Sequence, residues 1–116
     1  MKNYITNSEW LVQKPLTTIT YSDLVFCLEH RSVTVREQEI NLTATEFNIL
    51  TLLILNPRRV FTYDMIIDIV WNDKYDFYSR KTVNNHISNL KRKMKVAPDV
   101  REYIKSVHSI GYKFVP

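Results

Sequence analysis

Between Ile19 and Leu42 the apolar side chains tend to fall on every second position: Leu24, Phe26 and Leu28, then Val33 and Val35, then Ile40 and Leu42. Residues two apart share one face of a pleated strand, so this stretch predicts three or four short antiparallel strands. Polar breaks at Ser22-Asp23, Glu29 to Ser32 and Arg36 to Glu39 separate them, and no glycine occupies any of these turns. At Leu42-Thr43-Ala44-Thr45-Glu46-Phe47 the period changes. Thr43 and Glu46 have the spacing of a capping box, in which each side chain satisfies a backbone N–H of the first helical turn, and Leu42 and Phe47 are placed for a hydrophobic staple. Asn41-Leu42-Thr43 also matches a glycosylation acceptor, but the cap accounts for it better. The helix is expected to end near Leu55, because Asn56 precedes Pro57 and is biased out of helical geometry.

A second helix is predicted over Tyr63 to Val70 or Trp71, with Thr62 as N-cap and Met65, Ile66, Ile69 and Val70 turned to the core. Asn72 to Ser79 is acidic and aromatic without a period, and reads as a loop. A third helix follows. At about 100° per residue, Val83, Ile87, Leu90 and Met94 gather on one side, leaving Lys81, Asn85, Ser88, Asn89 and Arg92 on the other. Beyond Pro98, Tyr103 to His108 and Tyr112 to Val115 read as a hairpin around Ser109-Ile110-Gly111. Residues 1–18 are weakly periodic and are expected to be a lead or linker remnant before a domain spanning 19–116.

The chain has 116 residues, 45% apolar and 24% charged, which suits one small soluble domain. No apolar stretch approaches the roughly 20 residues of a membrane span. The N-terminus has no apolar run beyond Trp10-Leu11-Val12, so no secretory signal is expected. The lone Cys27 excludes an internal disulfide framework, and the chain is read as cytoplasmic. Charge is the informative quantity. Residues 1–79 carry seven basic and ten acidic side chains, whereas residues 80–116 carry nine and two. A small domain polarised in this way presents a positive surface to a polyanion.

From Ser79 to Pro98 there is no acidic residue, and the polar face of the third helix is built of Asn, Ser, Lys and Arg. Such a face suits the DNA major groove, where Asn offers a donor and an acceptor together to adenine and Arg or Lys reaches guanine or phosphate. Catalytic chemistry has weaker support. His30, His86 and His108 occur singly, without the spacing of a zinc site. One glycine cannot build a phosphate-cradling loop. No enzyme activity, cofactor, metal or small-molecule substrate is expected.

Taken in order, Leu42-Thr43-Ala44-Thr45-Glu46-Phe47, Val60-Phe61, Ile69-Val70-Trp71, Thr82-Val83-Asn84-Asn85-His86-Ile87 and Gly111-Tyr112 resemble the winged-helix effector domain of OmpR/PhoB-type response regulators. The likeness covers about Thr20 to Val115. It implies an α+β winged helix-turn-helix: an N-terminal four-stranded antiparallel sheet, three helices and a C-terminal β-hairpin wing. It also implies sequence-specific binding of double-stranded DNA by a transcriptional regulator, with the third helix in the major groove and the wing near the minor groove.

Carried over by position, the resemblance assigns base contacts to Asn84, Asn85, Ser88, Asn89 and His108. It assigns backbone contacts to Trp71, Thr82, His86, Lys91, Arg92 and Tyr112, and to Arg80 or Lys81 at the start of the helix. Trp71 and Tyr112 are open to a second reading as packing residues, and His86 as a flank of the apolar stripe. The family often has Asp-Val at Asn84-Asn85, a basic residue at Asn89 and Arg-Gly at His108-Ser109, so its operator sequences do not transfer. The loop containing Asp73, Tyr75, Asp76, Phe77 and Tyr78 matches one that can touch RNA polymerase, unless these aromatics fold back on the domain. A tandem dimer on direct repeats is a further implied partner arrangement. The rival reading, a winged helix that binds protein instead of DNA, would call for an apolar or acidic third-helix face.

Overall fold

The computed structural model describes residues 15–76 and 78–116. Four antiparallel strands come first: β1 (Thr18–Tyr21), β2 (Leu24–Cys27), β3 (Ser32–Val35) and β4 (Gln38–Glu39), in the order β1-β2-β3-β4. The alternation has its expected consequence. Leu24, Phe26, Val33 and Val35 are buried, with Leu24 opposite Val35 and Phe26 opposite Val33. Residues 1–14 of the expected lead lie outside the described residues, but Thr18 opens β1 and the Thr17 N–H donates to Glu29 Oε1 at 2.6 Å, so the domain begins before residue 19.

The fourth strand is Gln38–Glu39 instead of Ile40 to Leu42. Arg36 and Glu37 have φ of 51° and 66°, the pair of positive values that a two-residue type I′ hairpin requires, and this sets Gln38 opposite Val35. Ile40 then leaves the strand to enter the core. Asn-Gly is the usual sequence for such a turn. Here Arg36 is held by Asp23 at 3.0 Å and Asp99 at 2.7 Å.

Helix α1 (Ala44–Ile54) starts on the predicted capping box: Thr43 Oγ1 accepts from the Glu46 N–H at 3.1 Å and Glu46 Oε1 from the Thr43 N–H at 3.0 Å. Its inner face packs on the sheet, with Phe47 stacked on Phe26 at 5.2 Å between ring centroids. The first turn also holds a charge inside. Glu46 is 2% exposed, and its carboxylate meets Lys93 of the third helix at 2.6 Å.

Strand β5 (Phe61–Thr62) leads into α2 (Tyr63–Ile66), capped by Thr62 Oγ1 on the Met65 N–H at 3.3 Å. The helix then widens into a π-helical turn, Ile67–Trp71, and stops at Asn72 in left-handed geometry, φ 53°. The widened turn corrects the expected inner face. Ile66 and Ile67 are buried, while Ile69 is 52% exposed, because more residues per turn carry it off the face that regular α winding would give it.

Helix α3 (Ser79–Met94) buries Val83, Ile87, Leu90 and Met94, as the spacing predicts. It begins at Ser79, inside the stretch read as loop, because Asp76 Oδ1 accepts from the Tyr78 N–H at 2.8 Å and the Ser79 hydroxyl at 3.0 Å. The C-terminal hairpin, β6 (Ile104–Val107) and β7 (Gly111–Phe114), gains a third strand by pairing with β5, giving the order β5-β7-β6. Gly111 therefore lies in a strand and not in the turn, whose left-handed residue is Ser109, φ 61°. Tyr103 ties this sheet to the first. Its ring stacks on Phe114, and its hydroxyl lies 2.6 Å from Asp23 Oδ1 and 3.0 Å from the Tyr21 carbonyl. Among the described residues no helix is long and apolar enough to cross a membrane.

Candidate nucleic-acid interface

Helix α3 and the wing turn that follows β6 form one continuous surface, because the two are bonded together at the start of the helix. The Arg80 guanidinium donates to the Ser109 carbonyl at 2.6 Å and lies over the Tyr63 ring, 4.5 Å from its centroid. Of the two cations considered at this position, Arg80 thus joins wing, α2 and α3. Lys81 stands exposed beside it.

Along the rest of α3, Lys81, Asn85, Ser88, Asn89 and Arg92 are all exposed. Spacings of three and four residues align Asn85, Ser88, Asn89 and Arg92 as one stripe. Arg92 Nη2 donates to Asn89 Oδ1 at 3.0 Å, so this pair presents mostly donors. Among the described residues, ion pairs engage Lys91 and Lys93 of this helix but not Arg80, Lys81 or Arg92. Lys91, assigned to the DNA backbone by the resemblance, meets Glu102 at 3.0 Å and would have to exchange that partner for phosphate.

Asn84 is half-buried, one step off the stripe. Its carboxamide oxygen accepts from the Tyr63 hydroxyl at 3.1 Å and from the Tyr112 hydroxyl at 2.5 Å. The two rings meet edge to face at 6.0 Å. Burial, together with the neighbouring Tyr63, pushes the Tyr112 phenol up to about 12, so it carries its proton at neutral pH and donates. Tyr112 is 8% exposed. Its ring packs in the core, and its hydroxyl, the group expected to approach phosphate, is bonded inward to Asn84.

Trp71 and His86 also meet, edge to face at 5.3 Å. Both are half-buried, at the junction of the π-helical turn with α3. Thr82 donates to the Tyr78 carbonyl at 3.2 Å, and His108 is exposed at the wing turn beside Ser109. In the loop before α3, Asp73, Tyr75, Asp76 and Tyr78 are exposed, while Phe77 lies outside the described residues. Neither described tyrosine is buried against the domain, although Asp76 is committed to the start of α3.

Sequence reasoning missed Tyr63, which it read only as a helix start. A tyrosine immediately after the N-cap, opposite an Asn on the following helix, was the available signal. The Arg80–Ser109 bond had none, since it joins residues 29 apart in the chain.

The family model described as "transcriptional regulatory protein, C terminal" matches residues 37–114. The regulatory protein VanR of Enterococcus faecium is 35% identical over 95 residues, covering 82% of this chain and 41% of VanR. The chain thus spans about two fifths of that relative's length. The DNA-binding domain of CpxR from E. coli superposes with a TM-score of 0.74 at 26% identity, covering 85% of this chain and 96% of that one. The DNA-binding domain of the response regulator AdeR, solved in complex with an intercistronic region, gives 0.70 at 26%, covering 84% and 98%. With its four-stranded sheet, three helices and hairpin wing, the chain belongs to the transcriptional regulatory protein C-terminal family, the winged-helix DNA-binding effector domains of OmpR/PhoB-type response regulators.

Proposed function

We propose that this domain binds double-stranded DNA with α3 in the major groove and the wing turn against the adjacent backbone and minor groove. The observation that carries this reading is the acid-free polar stripe of α3, Lys81 to Arg92, joined to the wing through Arg80 and Ser109. The major groove of B-DNA admits a helix and displays base-specific donors and acceptors, which this stripe can meet. AdeR, whose DNA-binding domain was solved in complex with an intercistronic region, supports DNA as the ligand. In this reading Asn85, Ser88, Asn89 and His108 meet bases, and Lys81, Thr82, Arg92, Trp71 and His86 meet the backbone. The stripe is neither apolar nor acidic, which disfavours the rival protein-binding reading.

Exposed Tyr75 and Tyr78 beside Asp73 give the loop before α3 a surface for RNA polymerase, and tandem copies on direct repeats would set two such loops along one duplex. Selection of bound sites from a random duplex pool tests the function directly. Recovery of a defined motif supports it, and recovery of unselected sequence overturns it. Within that motif, Asn85→Ala is expected to cost about 1 to 3 kcal/mol at a single A·T pair and little elsewhere, the range for a bidentate contact. Competition with duplexes altered one pair at a time checks this, and equal loss on all of them would mark Asn85 as a backbone contact.

A further inference from the structure

The three asparagines of α3 look equivalent in sequence but differ in what their carboxamides have left to offer. Reading adenine takes both halves of the group, the oxygen accepting from N6 and the nitrogen donating to N7. A carboxamide oxygen has two lone pairs. At Asn84 both are engaged, by the Tyr63 hydroxyl at 3.1 Å and the Tyr112 hydroxyl at 2.5 Å. A separation of that shortness belongs to O–H···O bonds, at about 2.5–3.0 Å, and falls below the usual N–H···O range of about 2.7–3.2 Å, which places the oxygen and not the nitrogen against Tyr112.

The phenols are themselves fixed. Tyr112 is a strand residue buried in the wing sheet, and Tyr63 lies under the Arg80 guanidinium at 4.5 Å. Asn89 has given its oxygen to Arg92, but at an exposed position where water competes and the bond exchanges easily. Among the described residues no hydrogen bond engages the Asn85 carboxamide, and that side chain is exposed.

We infer that Asn84 meets DNA only as a hydrogen-bond donor: its oxygen is clamped by Tyr63 and Tyr112, its nitrogen faces one acceptor on the duplex, and adenine recognition at this step of the helix falls to Asn85. This rests on the DNA-binding reading above. The acceptor is O6 or N7 of guanine, whose major-groove edge offers two acceptors side by side, or a phosphate oxygen. The tyrosines act as positioning residues that remove half of the amide's reading capacity.

The test compares sites selected from a random duplex pool by the parent domain, Asn84→Ala, Asn85→Ala and the double variant Tyr63→Phe/Tyr112→Phe. Asn84→Ala is expected to weaken binding severalfold without relaxing any A·T pair. Loss spread over all sequences would identify the acceptor as phosphate, and loss confined to a G·C pair would identify guanine O6 or N7. Asn85→Ala relaxes an A·T pair. The Phe pair frees the amide and adds an A·T preference that the parent lacks. If the double variant does not fold, Tyr112→Phe alone serves, since it removes the shorter of the two bonds. Relaxation of an A·T pair by Asn84→Ala in the parent, or a Phe variant that selects the parent's motif unchanged, overturns the inference.

A second readout needs no DNA. In the free domain the Asn84 side-chain amide protons should exchange with water unprotected, and protection that vanishes in the Phe variant would show the amide reversed and sink the clamp. If the parent selects no motif, the DNA reading falls and takes the inference with it. The exchange measurement then shows whether the clamp failed too.

Discussion

Gly111→Ala is expected to destabilise the domain by about 3 kcal/mol, at the upper end of overpacking costs, and to detach β5 from the wing. A Cβ built at position 111 lies 1.9 Å from the Phe61 carbonyl oxygen and 2.9 Å from the Thr62 Cα, all backbone atoms that no rotamer change can move. The clash falls on the β5–β7 pairing, where Phe61 faces Tyr112 and Thr62 faces Gly111. Relief requires the strands to separate, with loss of their ladder bonds and displacement of Tyr112 from Asn84. Urea denaturation gives the stability change, and a midpoint equal to that of the parent would refute the argument. The control is Ser109→Gly. Ser109 already holds φ of 61°, a value glycine adopts without strain, so that exchange should leave stability nearly unchanged. The chain's one glycine is therefore required by close approach of two strands, and the turn beside it manages without one.

The same contrast marks what the sequence could and could not reveal. Local patterns were legible: the alternation in β2 and β3, the Thr43–Glu46 capping box and the apolar stripe of α3 each lie within a dozen residues and follow from period and capping chemistry alone. Turn chemistry was not legible. Ser22, Arg31, Arg36, Glu37, Arg58, Asn72 and Ser109 all adopt positive φ without being glycine, and the Arg and Glu residues among them give no turn signal. Strand β5 escaped because two residues have no period; only its distant partner β7 makes it a strand. Ile69 was misplaced because a π-helical turn leaves no mark in the spacing. For the interface, the stripe from Lys81 to Arg92 was readable from one helix. The roles of Asn84, Tyr112 and Arg80 depended on contacts from α2 and the wing, which a single helix does not encode.

Lys93→Met is expected to cost about 3 kcal/mol at neutral pH, as for a buried charge that loses its partner, and to reverse the sign of the pH dependence around Glu46. Burial alone would raise the Glu46 carboxyl, but Lys93 at 2.6 Å and the Thr43 N–H at 3.0 Å outweigh it and hold the group below its ordinary value. A carboxyl held low in the folded state contributes stability above the unfolded pKa, and that contribution is lost as pH falls through the folded value. With methionine at 93 the balance changes sides. The carboxylate keeps its cap bond but loses its countercharge, burial dominates, and the folded pKa rises above that of the unfolded chain. The variant should then gain relative to the parent as pH falls toward 4 and lose most above the raised value. The double variant Lys93→Met/Glu46→Gln should recover much of the loss, since Gln also accepts from the N-cap N–H in a capping box and carries no charge to strand. Urea midpoints for the three proteins at acid and neutral pH decide the matter. Parallel pH profiles for parent and Lys93→Met would show that the ion pair does not set the Glu46 charge. Because Lys93 lies on α3 and Glu46 on the first turn of α1, the single variant should also loosen the seating of the helix that carries the interface. The double variant should restore DNA affinity along with stability.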